Sequence, residues 1–139
     1  MKRDLAAGQY YFDDADFPVA VKYVQSSTSR QPSHEHDLTY TNHSHSFTEL
    51  VIVSRGQGIH MLENHRFTMS AGDVFVIQGD QQHRFDGDDF MLINVMYDET
   101  KLSLYLADLN RLPAYHALFQ LEPRYRQNHR FASRLHLSR

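Results

Sequence analysis

With 139 residues, 41% of them hydrophobic and 22% charged, the chain is sized for one globular domain with a buried core, not for two domains. It contains no cysteine, which excludes disulfides, thiolate metal sites and cysteine nucleophiles together. The net charge of −3 conceals a basic tail: from Glu122 onward five arginines face one glutamate, leaving 9 of the 14 basic and 16 of the 17 acidic residues before it. An acidic body of this kind is unlike a nucleic-acid surface.

Met1 to Asp16 is polar and acidic after Lys2 and Arg3, unlike a signal peptide, and it reads as an arm ending in an aromatic, acidic cluster. The apolar runs of the chain are too short to span a membrane, so a cytoplasmic location is expected. Pro18 to Val24 is β-rich and reads as the first strand, followed by a polar loop over Gln25 to Asp37 that carries His34 and His36.

From Leu38 the strands come in quick succession. Leu38 to Asn42 leads into His43 and His45, and Phe47 to Val53 reads as a strand closed by a turn at Ser54 to Gly58. Ile59 to Leu62 and Arg66 to Met69 read as short strands around a hairpin tip at Glu63 to His65. Turns at Ser70 to Asp73 and Gly79 to Gln82 bracket the apolar strand Val74 to Ile77; His83 to Phe85 and Phe90 to Tyr97 follow, separated by Gly87 to Asp89. Short strands with no intervening helices imply a mainly β fold, a small closed antiparallel barrel or jelly roll. Beyond Asp98 the pattern turns helical over Lys101 to Leu109, then over Pro113 to Leu121, and Arg124 to Arg139 reads as the start of an amphipathic helix. The expected organisation is an arm over 1–16, a barrel over 17–98 and a helical segment over 99–139.

The segment His43 to Gly56 organises the rest. Alternation along a strand puts His43, His45, Phe47, Glu49, Val51 and Val53 on one face. That face continues into valines, so it points inward, and its imidazoles and carboxylate need a metal, a ligand or one another as partners. His83 follows Gly72 at the spacing Gly-x10-His, and neighbouring strands of a small barrel would bring it close.

These residues resemble the two signatures of the cupin superfamily. The first reads His43-x-His45-x3-Glu49-x6-Gly56, with Asp37 where the leading glycine would stand. The second reads Gly72-x5-Gln78-x-Asp80-x2-His83, with Gln78 for proline, Asp80 for glycine and Gly87 for the closing asparagine. The resemblance implies His43, His45, Glu49 and His83 as ligands of a divalent ion, with zinc, nickel, manganese and iron(II) all suited to three imidazoles and a carboxylate. The competing reading is a set of histidines and a glutamate that hydrogen-bond one another without metal.

The run Asn42 to His60, with Gly72 to Ile77, Asp80, His83 and Ile93 to Tyr97, is more specifically similar to the amino-terminal sensor domain of AraC-type transcription regulators. Within that family it is most similar to the L-rhamnose-responsive activators of the RhaR and RhaS type. Members continue through a dimerisation segment into helix-turn-helix units, and nothing in this chain supplies a recognition helix. The resemblance therefore implies a sugar-sensing domain of a transcriptional activator, a homodimer, with DNA contacted through a domain absent from the chain.

A polar-lined barrel suits a saccharide, and strand parity and turn position point His43, His45, Glu49, His60, His83, Phe85 and Asn94 inward. Two other readings stand beside the sensor: a metal-dependent cupin dioxygenase, isomerase or epimerase with Tyr97 or His60 as acid or base, and an interaction module with structural histidines. Asp73 reads as a turn residue, and His65, His116, His129 and His136 as histidines outside any site.

Overall fold

The computed structural model describes residues 4–6, 12–14, 16–26, 40–102, 106–121 and 135–137. Their strands are β1 (Asp4–Ala6), β2 (Val19–Gln25), β3 (His43–His45), β4 (Thr48–Leu62), β5 (His65–Ser70), β6 (Asp73–Ile77), β7 (His83–Tyr97) and β8 (Leu135–His136). Two short helices, α1 (Leu106–Leu109) and α2 (Pro113–Tyr115), follow the barrel, and α2 runs on as a π-helical turn over His116–Leu121.

All eight strands belong to one sheet of mainly antiparallel pairs, with β1 beside β3 as the parallel exception. The two 15-residue strands β4 and β7 lie side by side from Thr48 opposite Tyr97 to Leu62 opposite His83. The other edge of β4 is shared between β6, along Glu49 to Ile52, and β5, along Gln57 to Leu62. The other edge of β7 takes β2 at one end and His43 of β3 at the other.

Sequence reasoning divides β4 and β7 at their glycines; the structure does not. Gly56 has φ +74°, yet the chain there passes through a bulge and continues, with register shifts between Val53 and Arg55 and between Gln57 and Ile59. A Cβ on Gly56 would lie 2.0 Å from the Asp89 carbonyl oxygen. The missing side chain thus lets β7 approach while the strand bends. Gly87 to Asp89 likewise remain inside β7. The two-residue turn Glu63-Asn64, with Glu63 at φ 51°, does reverse the chain into β5, so His65 is a half-buried strand residue.

The core lies inside the curl, where Val24, Val51, Val53, Leu62, Met69, Phe75, Ile77, Phe85, Phe90 and Leu92 pack together. Alternation explains the membership: Val51 and Val53 on β4, Phe75 and Ile77 on β6 and Leu92 on β7 share the inner face with Glu49 and Asn94. A smaller cluster of Phe47 and Met96 is capped by Phe12, whose ring meets Phe47 edge-on at 5.7 Å. β6 is buried along its whole length, and the helical turn His116–Leu121 lies near it.

The expected helix over Lys101 to Leu109 is present as α1 over its last four residues, after a turn. At the described end of the tail the structure departs from the helical expectation: Leu135 and His136 pair with Asp73 and Val74 as a strand on an edge of β6. His34, His36 and His129 lie outside the described residues.

Candidate functional site

The inward face of β3 and β4, predicted from alternation, is the wall of the site. His43, His45 and Glu49 are all buried, and His83 of β7 is 1% exposed. The register brings His83 directly opposite His43. Their rings are 4.3 Å apart, and the His45 ring stands 5.0 Å from that of His83 at a steep angle.

Each of these three histidines has one nitrogen committed to the backbone. Nδ1 of His43 lies 2.7 Å from the Thr41 carbonyl, Nδ1 of His45 2.6 Å from that of Phe47, and Nδ1 of His83 3.2 Å from that of Gln81. A carbonyl only accepts, so Nδ1 carries the proton in each ring and Nε2 is the atom left for the site.

Glu49 sits between them. Its Oε2 is 3.3 Å from Nε2 of His45 and 3.3 Å from Nε2 of His83, while its Oε1 accepts a hydrogen bond from Asn94 Nδ2 across the strand pair. Burial alone would raise the Glu49 carboxyl, but the interactions with His45 and His83 outweigh it and hold the group well below the usual carboxylate range. Glu49 is therefore an anion. Burial, with His83 as a neighbour, pulls His43 from 6.5 down to about 4, so this ring is neutral at physiological pH.

Among the described residues, His45 Nε2, His83 Nε2 and Asn94 Oδ1 are buried without a hydrogen-bond partner. Two imidazole nitrogens facing an anionic oxygen need a positive centre between them, either a ring proton or a cation. Each Nε2 stands 3.3 Å from Oε2, near the roughly 3.4 Å between donors of a tetrahedral ion, and the three donor atoms lie within 4.8 Å of one another. His45, Glu49 and His83 form the compact donor group, and His43, the fourth residue that the resemblance implies, stands beside it with its ring 4.3 Å from that of His83.

The remaining candidates form the floor. His60 is fully buried, stacked on Phe85 at 4.8 Å and edge-on to Phe75 at 5.1 Å, and its ring is 6.0 Å from that of His83. Its inward direction, ambiguous from sequence because of the nearby glycines, follows from the bulge, which restores alternation at His60 opposite Phe85 and Phe67. Phe47 stacks flat on His45 at 4.4 Å and completes an aromatic lining. Tyr97 lies at the far end of β7. Burial, with Glu99 and Tyr115 nearby, pushes its phenol well above the usual range, so it remains protonated.

Asp73 is what sequence reasoning missed. It is fully buried, accepts from the backbone N–H and hydroxyl of Ser70 and faces Nδ1 of His136 at 2.9 Å. Nothing in the spacing of positions 73 and 136 signals that contact.

A family model described as the AraC-like ligand binding domain matches residues 27–137. The HTH-type transcriptional activator RhaR of Yersinia pseudotuberculosis serotype O:1b (strain IP 31758) is 37% identical over 95 residues, 68% of this chain and 29% of that protein. RhaR of Escherichia coli O1:K1 / APEC is 35% identical over 79 residues, 56% of this chain and 28% of that protein. The chain thus spans less than a third of the length of these relatives. Among solved structures, a Cupin 2 conserved barrel domain protein from Salinispora arenicola CNS-205 superposes with a TM-score of 0.47 at 17% identity, over 65% of this chain and 71% of that one.

Proposed function

Because the chain belongs to the AraC-like ligand-binding domain family, we propose that it is the ligand-sensing part of a transcriptional activator and that its ligand is a monosaccharide, L-rhamnose being the first candidate. The observation that carries this reading is the polar interior: buried Nε2 atoms of His45 and His83 flank the Glu49 carboxylate, Asn94 is hydrogen-bonded to it, and the stacked His60–Phe85 pair lies next to His83. A sugar is rich in hydroxyl donors and has apolar C–H faces, and it complements such a lining on both counts. The relatives at 35–37% identity bear the name of transcriptional activators, which supports regulation over turnover. DNA contact through another domain, dimerisation and a cytoplasmic setting belong to the same reading. Among the described residues no helix is long and apolar enough to cross a membrane.

The donor set also fits a divalent cation, which His45, Glu49 and His83 would hold with positions left open to a ligand. Zinc, nickel, manganese or iron(II) bound there would supply a Lewis-acidic anchor for hydroxyl oxygens. The chain's own part is to fix the three donors through the Nδ1–carbonyl bonds and the Asn94 contact, and to keep His43 neutral beside them.

Thermal unfolding against a panel of monosaccharides, with and without added zinc, tests the reading. At about a hundredfold excess over the dissociation constant, binding adds about 2.7 kcal/mol, raising the melting temperature by roughly 5 to 10 °C. A selective rise for one sugar, recovered unchanged, is the expected result. No rise for any sugar in either condition refutes the sugar assignment, and chemical conversion of the sugar favours a metal-dependent cupin enzyme.

A further inference from the structure

β6 is held between two quite different neighbours. Along one edge Val74, Phe75, Val76 and Ile77 pair with Ile52, Val51, Leu50 and Glu49 of β4, so β6 abuts the strand that carries the site's carboxylate. Along the other edge, among the described residues, it takes β8, where Asp73 and Val74 pair with His136 and Leu135. Val74 therefore lies directly between the tail segment and the site strand.

The tail contact is specific although it is short. The backbone N–H of Leu137 donates to the Gly72 carbonyl at 2.9 Å, and His136 Nδ1 meets Asp73 Oδ1 at 2.9 Å. One oxygen of the fully buried Asp73 carboxylate accepts from Ser70, and the other is the one that faces His136. Gly72, at φ +97°, gives the tail its seat: a Cβ there would lie 2.8 Å from His136 Cε1 and 3.1 Å from the Leu137 carbonyl oxygen. Yet the His136 side chain is 55% exposed and Leu137 is 53% exposed, so neither is held down by burial. A two-residue strand on a sheet edge, with two half-exposed residues, belongs to the parts of a protein that open locally.

We propose that the segment from Leu135 to Leu137 is a releasable strap on β6, and that its docking is coupled through β6 and β4 to the His45–Glu49–His83 site. The docking is a property of the barrel alone; its role as the output of the sensor rests on the sensor reading. A sensor needs a second arrangement that its ligand disfavours or favours. The strap supplies one next to the site strand, and by linkage a site that alters strap docking is itself altered by it.

The test needs no sugar, so it is decided separately from the search for an inducer. In the full chain, amide exchange is followed at Leu137, Val51 and Phe75, and the ring nitrogens of His45 and His83 are followed by NMR. The expected result for His136→Ala is an exchange rate at Leu137 raised about tenfold, unchanged rates at Val51 and Phe75, and shifted ring signals of His45 and His83. His136→Gln, which keeps a donor for Asp73, should restore both readouts. Wild-type exchange at Leu137 as slow as at Val51, or an equal acceleration at all three amides in His136→Ala, would show an integral strand and overturn the strap. Faster exchange at Leu137 with unmoved His45 and His83 signals would overturn the coupling.

Discussion

The protonation of His43 contributes to how the barrel responds to acid. Burial and the neighbouring His83 lower this group from 6.5 to about 4 in the folded protein, whereas the unfolded chain keeps the ordinary value. Between these two values the unfolded state binds the extra proton, so stability rises with pH across the window and falls as the solution is acidified. The contribution is nil above the unfolded value and reaches about 3 kcal/mol of lost stability near the folded one. Chemical denaturation of chelator-treated protein from about pH 7 to about pH 4 measures this loss, with His43→Gln as the reference lacking the titration. The wild type should lose about 3 kcal/mol more than His43→Gln across the range, a gap of roughly 6 to 12 °C in melting temperature. Parallel curves for the two proteins would refute the assignment of His43 as a buried neutral ring.

Three further outcomes follow from the same geometry. Glu49→Gln should abolish retention of zinc measured by competition with a chromophoric chelator, because it removes the anionic donor between His45 and His83. Asn94→Ala, which removes the partner of Glu49 Oε1, should weaken zinc by about 10- to 100-fold in the same assay; unchanged affinity would detach Asn94 from the site. Gly56→Ala should cost about 2 to 4 kcal/mol in denaturation, since its Cβ meets the Asp89 carbonyl and its backbone has positive φ; a loss below about 1 kcal/mol would contradict the close approach of β4 and β7.

Much of the site was legible because strand alternation is a rigid rule. His43, His45, Glu49, Phe85 and Asn94 all point where a period of two puts them, and the spacing from Gly72 to His83 did indicate that the second histidine returns to the first. What alternation could not show was how the long strands treat their glycines. Gly56 and Gly87 look like turn residues in sequence, but bulging and turning draw on the same freedom of φ, and only the partner strand decides between them. Distances within the cluster were not legible for a related reason. His43 and His45 lie on the same face, yet a shared face fixes direction and not the distance of a ring nitrogen from Glu49, and His43 stays outside the donor group. Asp73 and His136 are 63 positions apart, and their pairing depends on how the tail returns to the sheet, a long-range event with no local periodic signal.

The measurement closest to the central claim is calorimetric titration of L-rhamnose into the wild-type chain, Glu49→Gln and Tyr23→Ser, whose parent side chain lies on the outer surface of β2 at 72% exposure. Binding to the wild type and Tyr23→Ser with equal affinity, weakened at least about thirtyfold in Glu49→Gln, is the predicted result; that ratio corresponds to about 2 kcal/mol. Equal affinity in all three proteins would place the sugar outside the barrel, and no heat with any of them would contradict rhamnose sensing by this domain.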